Sequence, residues 1–126
     1  IKNLAKQKKW GTEIIGCPII RETNGLALSS RNRLLAAGLK DKAAIIYNTL
    51  LWVTKQGSKT KIALLEKEVE RQFEKQQDFQ LDYFCIAEEE TLVPVTEFRR
   101  NICYRAFIAV NVGQIRLIDN MLLTKI

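Results

Sequence analysis

The sequence predicts an α+β domain in which two helices precede a three-stranded, mainly antiparallel sheet. Three observations support this class. Apolar residues recur at helical spacing in two stretches, at about 39–56 and 62–73. From Phe79 to Cys85 apolar and polar residues alternate, which is the pattern of a half-buried strand. Gly113-Gln114 then separates two further β-type runs with Gly first, which is typical of a type II′ hairpin.

Length and composition restrict the class of protein further. The chain has 126 residues, of which 47% are hydrophobic and 27% charged. This length suits one domain with one continuous core. No apolar run approaches the roughly 20 residues that a membrane-spanning helix needs, so we expect a soluble protein with no membrane partner. Histidine is absent, which excludes Ser-His-Asp and Cys-His nucleophilic sites and histidine-containing metal centres within this chain.

The N-terminal part of the chain predicts a helix followed by a buried strand. Ile1, Leu4 and Ala5 fall on one helical face, and Gly11 ends the helix. The run 13–20 contains IIGCPII, which is apolar on both faces, rich in β-branched residues and too short for a helix, as in a buried parallel strand. A helix followed by such a strand is the closing half of a βαβ unit, yet nothing upstream supplies neighbouring strands. We therefore expect the chain to begin in the middle of a fold.

The helices and strands of the main domain follow in order. One helix is predicted from about Leu39 to Gln56, because its apolar residues form a stripe and Gly57 is placed as a C-terminal stop. A second stripe with Glu and Lys on the opposite side predicts the next helix. Its apolar positions are Ile62, Leu65, Val69 and Phe73. After the strand that contains Cys85, the runs CYRAFIAVNV and IRLIDNMLL predict the two strands of the hairpin.

The three cysteines are Cys17, Cys85 and Cys103, which are far apart and lie within apolar stretches. This pattern predicts buried, reduced thiols. A zinc site is disfavoured because no CxxC spacing brings two thiols together and no histidine is present to complete a ligand set. Without a disulfide framework or a secretory signal, a reducing cytoplasm is the expected location, and we predict no metal ligands.

The charge balance raises an alternative function. With 20 Lys and Arg against 14 Asp and Glu, the net charge is +6. The local basic runs are Lys6 to Lys9 and the pair Arg31 and Arg33, whereas the other basic residues are interleaved with acids. A scattered surplus is typical of a solvated surface, and neither run accompanies a nucleic-acid-binding motif. We expect no nucleic-acid partner, and a basic interaction module that binds nucleic acid or an acidic partner is kept as the alternative.

One loop, residues 24–33, combines several groups that suit an anion. Small residues let the backbone approach a ligand, the hydroxyls of Ser29 and Ser30 donate hydrogen bonds, and arginine offers a charged fork that matches phosphate oxygens. A helical turn starting near Ser30 would add free N–H groups. The chemistry alone leaves a second interpretation open, in which the two serines cap a helix and Arg31 and Arg33 are solvated.

The same region resembles a known family. The stretch GCPIIRETNGLALSSRNRLL is similar to the phosphate-binding loop region of the pantoate-beta-alanine ligases, the pantothenate synthetases of coenzyme A biosynthesis. The match includes Pro18, Arg21, Glu22 and every residue from Gly25 to Asn32, in unbroken register. Near the other end of the chain, RLIDN at 116–120 is similar to the closing strand of the family, so the resemblance covers essentially the whole chain.

The resemblance implies a two-domain enzyme with an N-terminal Rossmann-like half and a C-terminal α+β lid. Residues 1–20 would be the last helix and strand of the Rossmann-like domain, and 21–126 the lid that carries loop 24–33. In this family ATP, accompanied by Mg²⁺, and pantoate give pantoyl adenylate and pyrophosphate. The amine of beta-alanine then displaces AMP to form pantothenate. The intact enzyme is expected to be a homodimer.

The resemblance also implies roles for individual residues. Ser29 and Ser30 would bond the triphosphate, and Arg31 would neutralise charge that develops as the α-phosphate is attacked. Leu28 would pack near the adenine or ribose. The backbone of Ile20 would meet the adenine base, although a core position in a strand is an equally open interpretation for this residue. The pantoate contacts belong to the other half of the family's enzymes, so we expect the isolated chain to be inactive.

Overall fold

The computed structural model describes residues 1–123. Its elements in chain order are α1 (Lys2–Gln7), a 3-10 turn (Ser30–Leu34), α2 (Leu39–Lys42), α3 (Ala44–Gln56), a second 3-10 turn (Gly57–Lys59), α4 (Ile62–Glu74), β1 (Gln80–Glu88), β2 (Tyr104–Val112) and β3 (Ile115–Leu123). The two long helices, α3 and α4, precede the three strands, so the predicted α+β class is confirmed.

The sheet is antiparallel throughout, with β2 in the centre between β1 and β3. The predicted hairpin is present, because Val112 pairs with Ile115 around Gly113 and Gln114. Gly113 has φ +59, a left-handed conformation that the first central residue of a primed turn requires. The register of β1 against β2 shifts between Leu81 and Tyr83, so one extra residue is inserted at this edge of the sheet.

The core lies between the helices and one face of the sheet. Alternate residues of β2 are buried on this face, as the period of a strand demands. Helix α3 packs against β2 and β3, and α4 packs against β1. The largest fully buried side chains include Tyr104, Phe79, Ile46, Leu50, Ile62 and Leu65. On the opposite face of the sheet Ile118 and Leu122 are exposed.

Two predicted elements differ from the structure. The predicted helix 39–56 is divided at Ala43 into α2 and α3. Ala43 has ψ −13, and Ile46 N donates to Ala43 O, which is an i to i+3 bond of the 3-10 type. The predicted buried strand at 13–20 is not formed, since these residues enter no ladder and Ile15 and Ile20 are 74% and 67% exposed. A parallel strand needs neighbouring strands, and the described residues offer none to this segment.

The prediction of buried thiols is wrong for two cysteines. Cys17 and Cys103 are exposed and Cys85 is half-buried. Cys17 lies in the segment that lacks strand neighbours, and Cys103 immediately precedes β2. Burial raises the pKa of the Cys85 thiol, and the charge of Glu66 raises it further. Within residues 1–123 no helix is both long and apolar enough to cross a membrane.

Candidate functional site

The loop that the sequence singles out begins with a small hairpin. Leu28 N donates to Ile20 O at 2.8 Å, Glu22 N donates to Leu26 O at 2.8 Å, and Gly25 N donates to Glu22 O at 2.9 Å. The Asn24 side chain completes this turn, because its Oδ1 accepts from Leu26 N at 3.1 Å. The segment 20–28 is therefore tightly folded, and it leads directly into the two serines.

The two serines sit where the chain enters a 3-10 turn. Ser29 is extended, with φ −149 and ψ 146, and its Oγ accepts a hydrogen bond from Arg31 N at 3.2 Å. The turn then runs from Ser30 to Leu34, so the predicted helical turn near Ser30 is confirmed. Ser29 therefore caps this turn, as one of the two interpretations left open by the sequence expects, and its hydroxyl hydrogen remains able to donate to a ligand.

Half of the arginines in the described residues are paired with carboxylates, and Arg31 is not one of them. Within residues 1–123, Arg71, Arg105 and Arg116 each form an ion pair with a nearby carboxylate. The Arg31 guanidinium is exposed and makes no ion pair or side-chain hydrogen bond in this part of the chain, and the same holds for the exposed Ser30 hydroxyl. These two groups are therefore available for an anionic ligand.

Asn32 holds the turn against the hairpin. It is 3% exposed, and its Nδ2 donates to Glu22 Oε1 at 3.2 Å and to Ala27 O at 3.0 Å. The two acceptors fix the orientation of the amide, which leaves the buried Oδ1 without a partner within the described residues. Glu22 also pairs with Lys40 at 2.9 Å, and the hydrogen bonds from Lys40 and Asn32 lower the pKa of the Glu22 carboxyl.

Two further anchors join the loop to the domain. Arg21 forms a two-point ion pair with Asp119 of β3, with its guanidinium 4.3 Å from the centre of the Tyr47 ring on α3. Gly25, with φ +91, lies so close to the Tyr47 ring that an added Cβ would overlap it. Sequence reasoning placed Arg21 in the motif but assigned no role to it, to Asn32 or to Asp119.

A cavity of about 200 Å³ lies between the loop and the start of β3. It brings together Leu28, Ser29 and Arg31, whereas Ser30 and Ile20 do not line it. Its walls are completed by Leu26, Ala27, Asn32, Ile46, Arg116, Leu117 and Ile118. Leu28 is 60% exposed at the rim, which suits contact with an apolar part of a ligand.

A larger groove of about 900 Å³ lies between α4 and β1. It is lined by four carboxylates and no basic residue, and these acids are Glu66, Glu70, Glu74 and Asp82. Such a surface repels anions, so size alone does not make it the site for a phosphate-bearing substrate. The smaller cavity beside Arg31 is the better candidate.

Replacing Asn32 with aspartate is expected to destabilise the domain by about 2 kcal/mol. The substitution changes hardly any volume, but it places an acceptor oxygen opposite Glu22 Oε1 and Ala27 O, where the Nδ2 group now donates. Urea unfolding of the 126-residue chain measures the change. Asn48→Asp on α3 is a matched control at an exposed position and is expected to change stability by less than about 0.5 kcal/mol. Equal effects of the two changes would contradict the anchoring role of Asn32.

Fold and loop together define a small α+β domain that presents a Ser-Ser-Arg turn at one edge of its sheet. Within that class, the chain belongs to the pantoate-beta-alanine ligase family, whose model matches residues 1–122. The resemblance found in the loop and in RLIDN, which lies in β3, is thereby confirmed.

Individual relatives support the same assignment. The chain is 45% identical over 121 residues to a pantothenate synthetase from Flavobacterium psychrophilum, covering 96% of this chain and 43% of the relative. It is 41% identical to one from Christiangramia forsetii, covering 98% of this chain and 44% of that protein. The crystal structure of pantothenate synthetase from Thermus thermophilus matches with a TM-score of 0.84 and 30% identity, covering 97% of this chain and 44% of that chain. The chain thus spans less than half the length of the curated relatives it matches.

Proposed function

We propose that this chain is the C-terminal part of an ATP-dependent ligase that condenses pantoate with beta-alanine to give pantothenate, AMP and pyrophosphate. The observation that carries the proposal is the Ser29-Ser30-Arg31 turn, in which the side chains of Ser30 and Arg31 have no hydrogen-bond or ion-pair partner within the described residues. Family membership supports it. So does a pantoate-beta-alanine ligase from Francisella tularensis, which was solved with beta-gamma ATP and beta-alanine and matches this chain with a TM-score of 0.57 and 29% identity.

The proposal divides the chain into two parts. Residues 1–20 would close a Rossmann-like nucleotide-binding domain, and 21–126 would form the lid that carries loop 24–33. Relatives more than twice as long support this division, and so does the exposed apolar segment 13–20. In the intact enzyme the strands of that domain would cover the side chains of this segment.

In the first step, a carboxylate oxygen of pantoate attacks the α-phosphorus of ATP and pyrophosphate leaves. Charge builds up on the phosphate oxygens during this transfer, so the protein contributes mainly by position and by fixed positive charge. Arg31 would face these oxygens, and the hydroxyls of Ser29 and Ser30 would donate to the triphosphate. The beta-alanine amine then attacks the acyl carbon of pantoyl adenylate and AMP leaves.

The nucleoside would lie at the other end of the loop. Leu28 would pack on the adenine or ribose, and the main chain of Ile20 would meet the base. The structure supports this arrangement, since Leu28 N donates to Ile20 O and the two residues are therefore adjacent.

Mg²⁺ would enter the site on the phosphates of ATP. Among residues 1–123 no group of three or more His, Cys, Asp or Glu side chains could hold a metal ion. The groups that the loop offers are hydroxyls and a guanidinium, which suit phosphate oxygens and not a cation. We propose that the intact enzyme is a cytoplasmic homodimer and that its pantoate contacts lie outside this chain.

A comparison of the full-length protein with the 126-residue chain tests the proposal. The full-length protein is expected to catalyse exchange of labelled pyrophosphate into ATP only when pantoate is present, and to release AMP when beta-alanine is added. The isolated chain is expected to do neither, because it lacks the groups that orient pantoate. A full-length protein without pantoate-dependent exchange would refute the assigned reaction. Pantoate-dependent AMP release by the isolated chain would refute the division of the active site.

A further inference from the structure

We propose that Arg21 is a positioning residue for the phosphate-binding loop, and that Asp119 on β3 holds the Arg21 guanidinium in place. The inference rests on the proposed function, because it assigns a role to these residues in the same adenylation step. It concerns residues that are 98 positions apart in the chain and meet only in the folded domain.

The contact between the two side chains is a two-point ion pair. Arg21 Nη1 donates to Asp119 Oδ2 at 2.6 Å, and Nη2 donates to Oδ1 at 3.1 Å. The Asp119 side chain is 2% exposed and that of Arg21 is 20% exposed, so water competes little for these bonds. Asn120 N also donates to Asp119 Oδ1, at 2.7 Å, which orients the carboxylate from the strand itself.

Arg21, held in this way, also contacts the loop directly. The same Nη1 donates to Gly25 O at 3.0 Å, and the guanidinium lies 4.3 Å from the centre of the Tyr47 ring. The main chain of Arg21 forms a bridge with Ala27, two residues before Ser29. The turn that leads into the serines is therefore attached to the sheet through the guanidinium and to the Arg21 backbone through this bridge.

These contacts distinguish Arg21 from Arg31. Both terminal nitrogens of Arg21 already donate to protein oxygens, whereas the Arg31 guanidinium has no protein partner within residues 1–123. Arg21 is therefore not available to neutralise a phosphate. It acts by holding the loop in one geometry before the nucleotide binds. A small displacement of the loop would move Arg31 relative to the phosphate and reduce catalysis strongly.

A double substitution separates positioning from simple stabilisation. A buried ion pair can often be replaced by apolar residues of similar size without loss of stability. We therefore expect the full-length ligase carrying Arg21→Met and Asp119→Leu to keep its unfolding midpoint within a few degrees of the parent. Its kcat for pantoate-dependent exchange is expected to fall about tenfold or more, because no group then holds Gly25 O, while KM for ATP changes by less than about threefold.

The matched control is Arg71→Met with Glu68→Leu, which removes an ion pair between an exposed and a half-buried residue of α4 and is expected to leave kcat unchanged. Arg21→Lys, which keeps the charge without the planar fork, is expected to lower kcat by a similar factor to the double variant. Amide exchange provides a readout that needs no activity. Protection of Leu26 and Leu28 should be lost in both Arg21 variants while β2 remains protected.

Parental kcat in the double variant, or in Arg21→Lys, would overturn the positioning role. So would unchanged protection of Leu26 and Leu28 in both variants. Failure of the proposed function gives a different result, since the parent enzyme itself would then show no pantoate-dependent exchange. The exchange protection of the loop would still test the role of Arg21 in that case.

Discussion

Arg31→Ala in the full-length ligase is expected to lower kcat for adenylate formation by a factor of about one hundred or more. The guanidinium is exposed, follows the two serines directly and has no protein partner within the described residues, so its positive charge is free to meet the phosphate oxygens. A group that acts mainly on the transition state changes kcat more than it changes the KM for ATP. Steady-state exchange of pyrophosphate into ATP, measured across pantoate and ATP concentrations, gives both quantities.

Two further variants make this result specific. Arg31→Lys is expected to restore only a small part of the rate, because an ammonium group lacks the planar fork that binds two phosphate oxygens at once. Arg100→Ala, at another exposed arginine, is the matched control and is expected to keep the parental kcat. Because Arg31 makes no side-chain contact that stabilises the domain, the unfolding midpoint of Arg31→Ala should equal that of the parent. An unchanged exchange rate in Arg31→Ala would remove it from the catalytic step.

The helices and strands that the sequence predicts correctly are those whose pattern lies within a short stretch of neighbouring residues. The run that predicts β2 and the Gly113-Gln114 turn each lie within a few neighbouring residues, and the structure contains both. Strand β1 also forms, but its predicted alternation is interrupted where the register shifts between Leu81 and Tyr83, so that Tyr83 is 41% exposed and Ile86 is buried. Helix α4 has its four apolar positions buried, as its stripe predicts. The division at Ala43 escaped prediction because a change from i+4 to i+3 bonding leaves the hydrophobic pattern almost unchanged.

Burial of the segment 13–20 could not be predicted from its own residues. An apolar β-branched run indicates that a strand is favourable, but the strands beside it must be supplied by other parts of a protein. The same reasoning explains why Cys17 is exposed despite its apolar neighbours. The composition of a segment shows which side chains are suited to burial, but the neighbouring strands determine whether those side chains are buried.

The candidate site likewise contains residues that can be predicted from the sequence and residues that cannot. Ser29, Ser30 and Arg31 are contiguous, so the sequence alone predicts them as a phosphate-binding site, and the structure places them in one 3-10 turn and its cap. The anchors behind them cannot be predicted in this way, since Arg21 meets Asp119 across 98 positions of sequence. The sequence offers one signal for this anchor, which is Asp119 among the apolar residues of RLIDN. A carboxylate that is buried in a strand needs a cationic or hydrogen-bonding partner from elsewhere in the chain.

Gly25→Ala is expected to destabilise the domain by roughly 2–5 kcal/mol, through two separable effects. Gly25 has φ +91, which costs a residue with a Cβ about 1–2 kcal/mol. The new Cβ would also lie 2.7 Å from Tyr47 Cε1 and 2.9 Å from Cγ, and closer still to Cδ1. The ring cannot easily move away, since the Arg21 guanidinium stacks on it.

Gly38→Ala isolates the backbone effect. Gly38 has φ +80, and nothing lies within 4 Å of its added Cβ, so this variant should lose only about 1–2 kcal/mol. In a Tyr47→Leu background the ring is absent, and Gly25→Ala should then cost no more than Gly38→Ala does. Urea unfolding of the 126-residue chains, measured as a double-mutant cycle, gives the coupling free energy between Gly25 and Tyr47. A coupling near zero would mean that Tyr47 is not the side chain that excludes a Cβ at position 25, and that the loop is held away from α3 by other contacts.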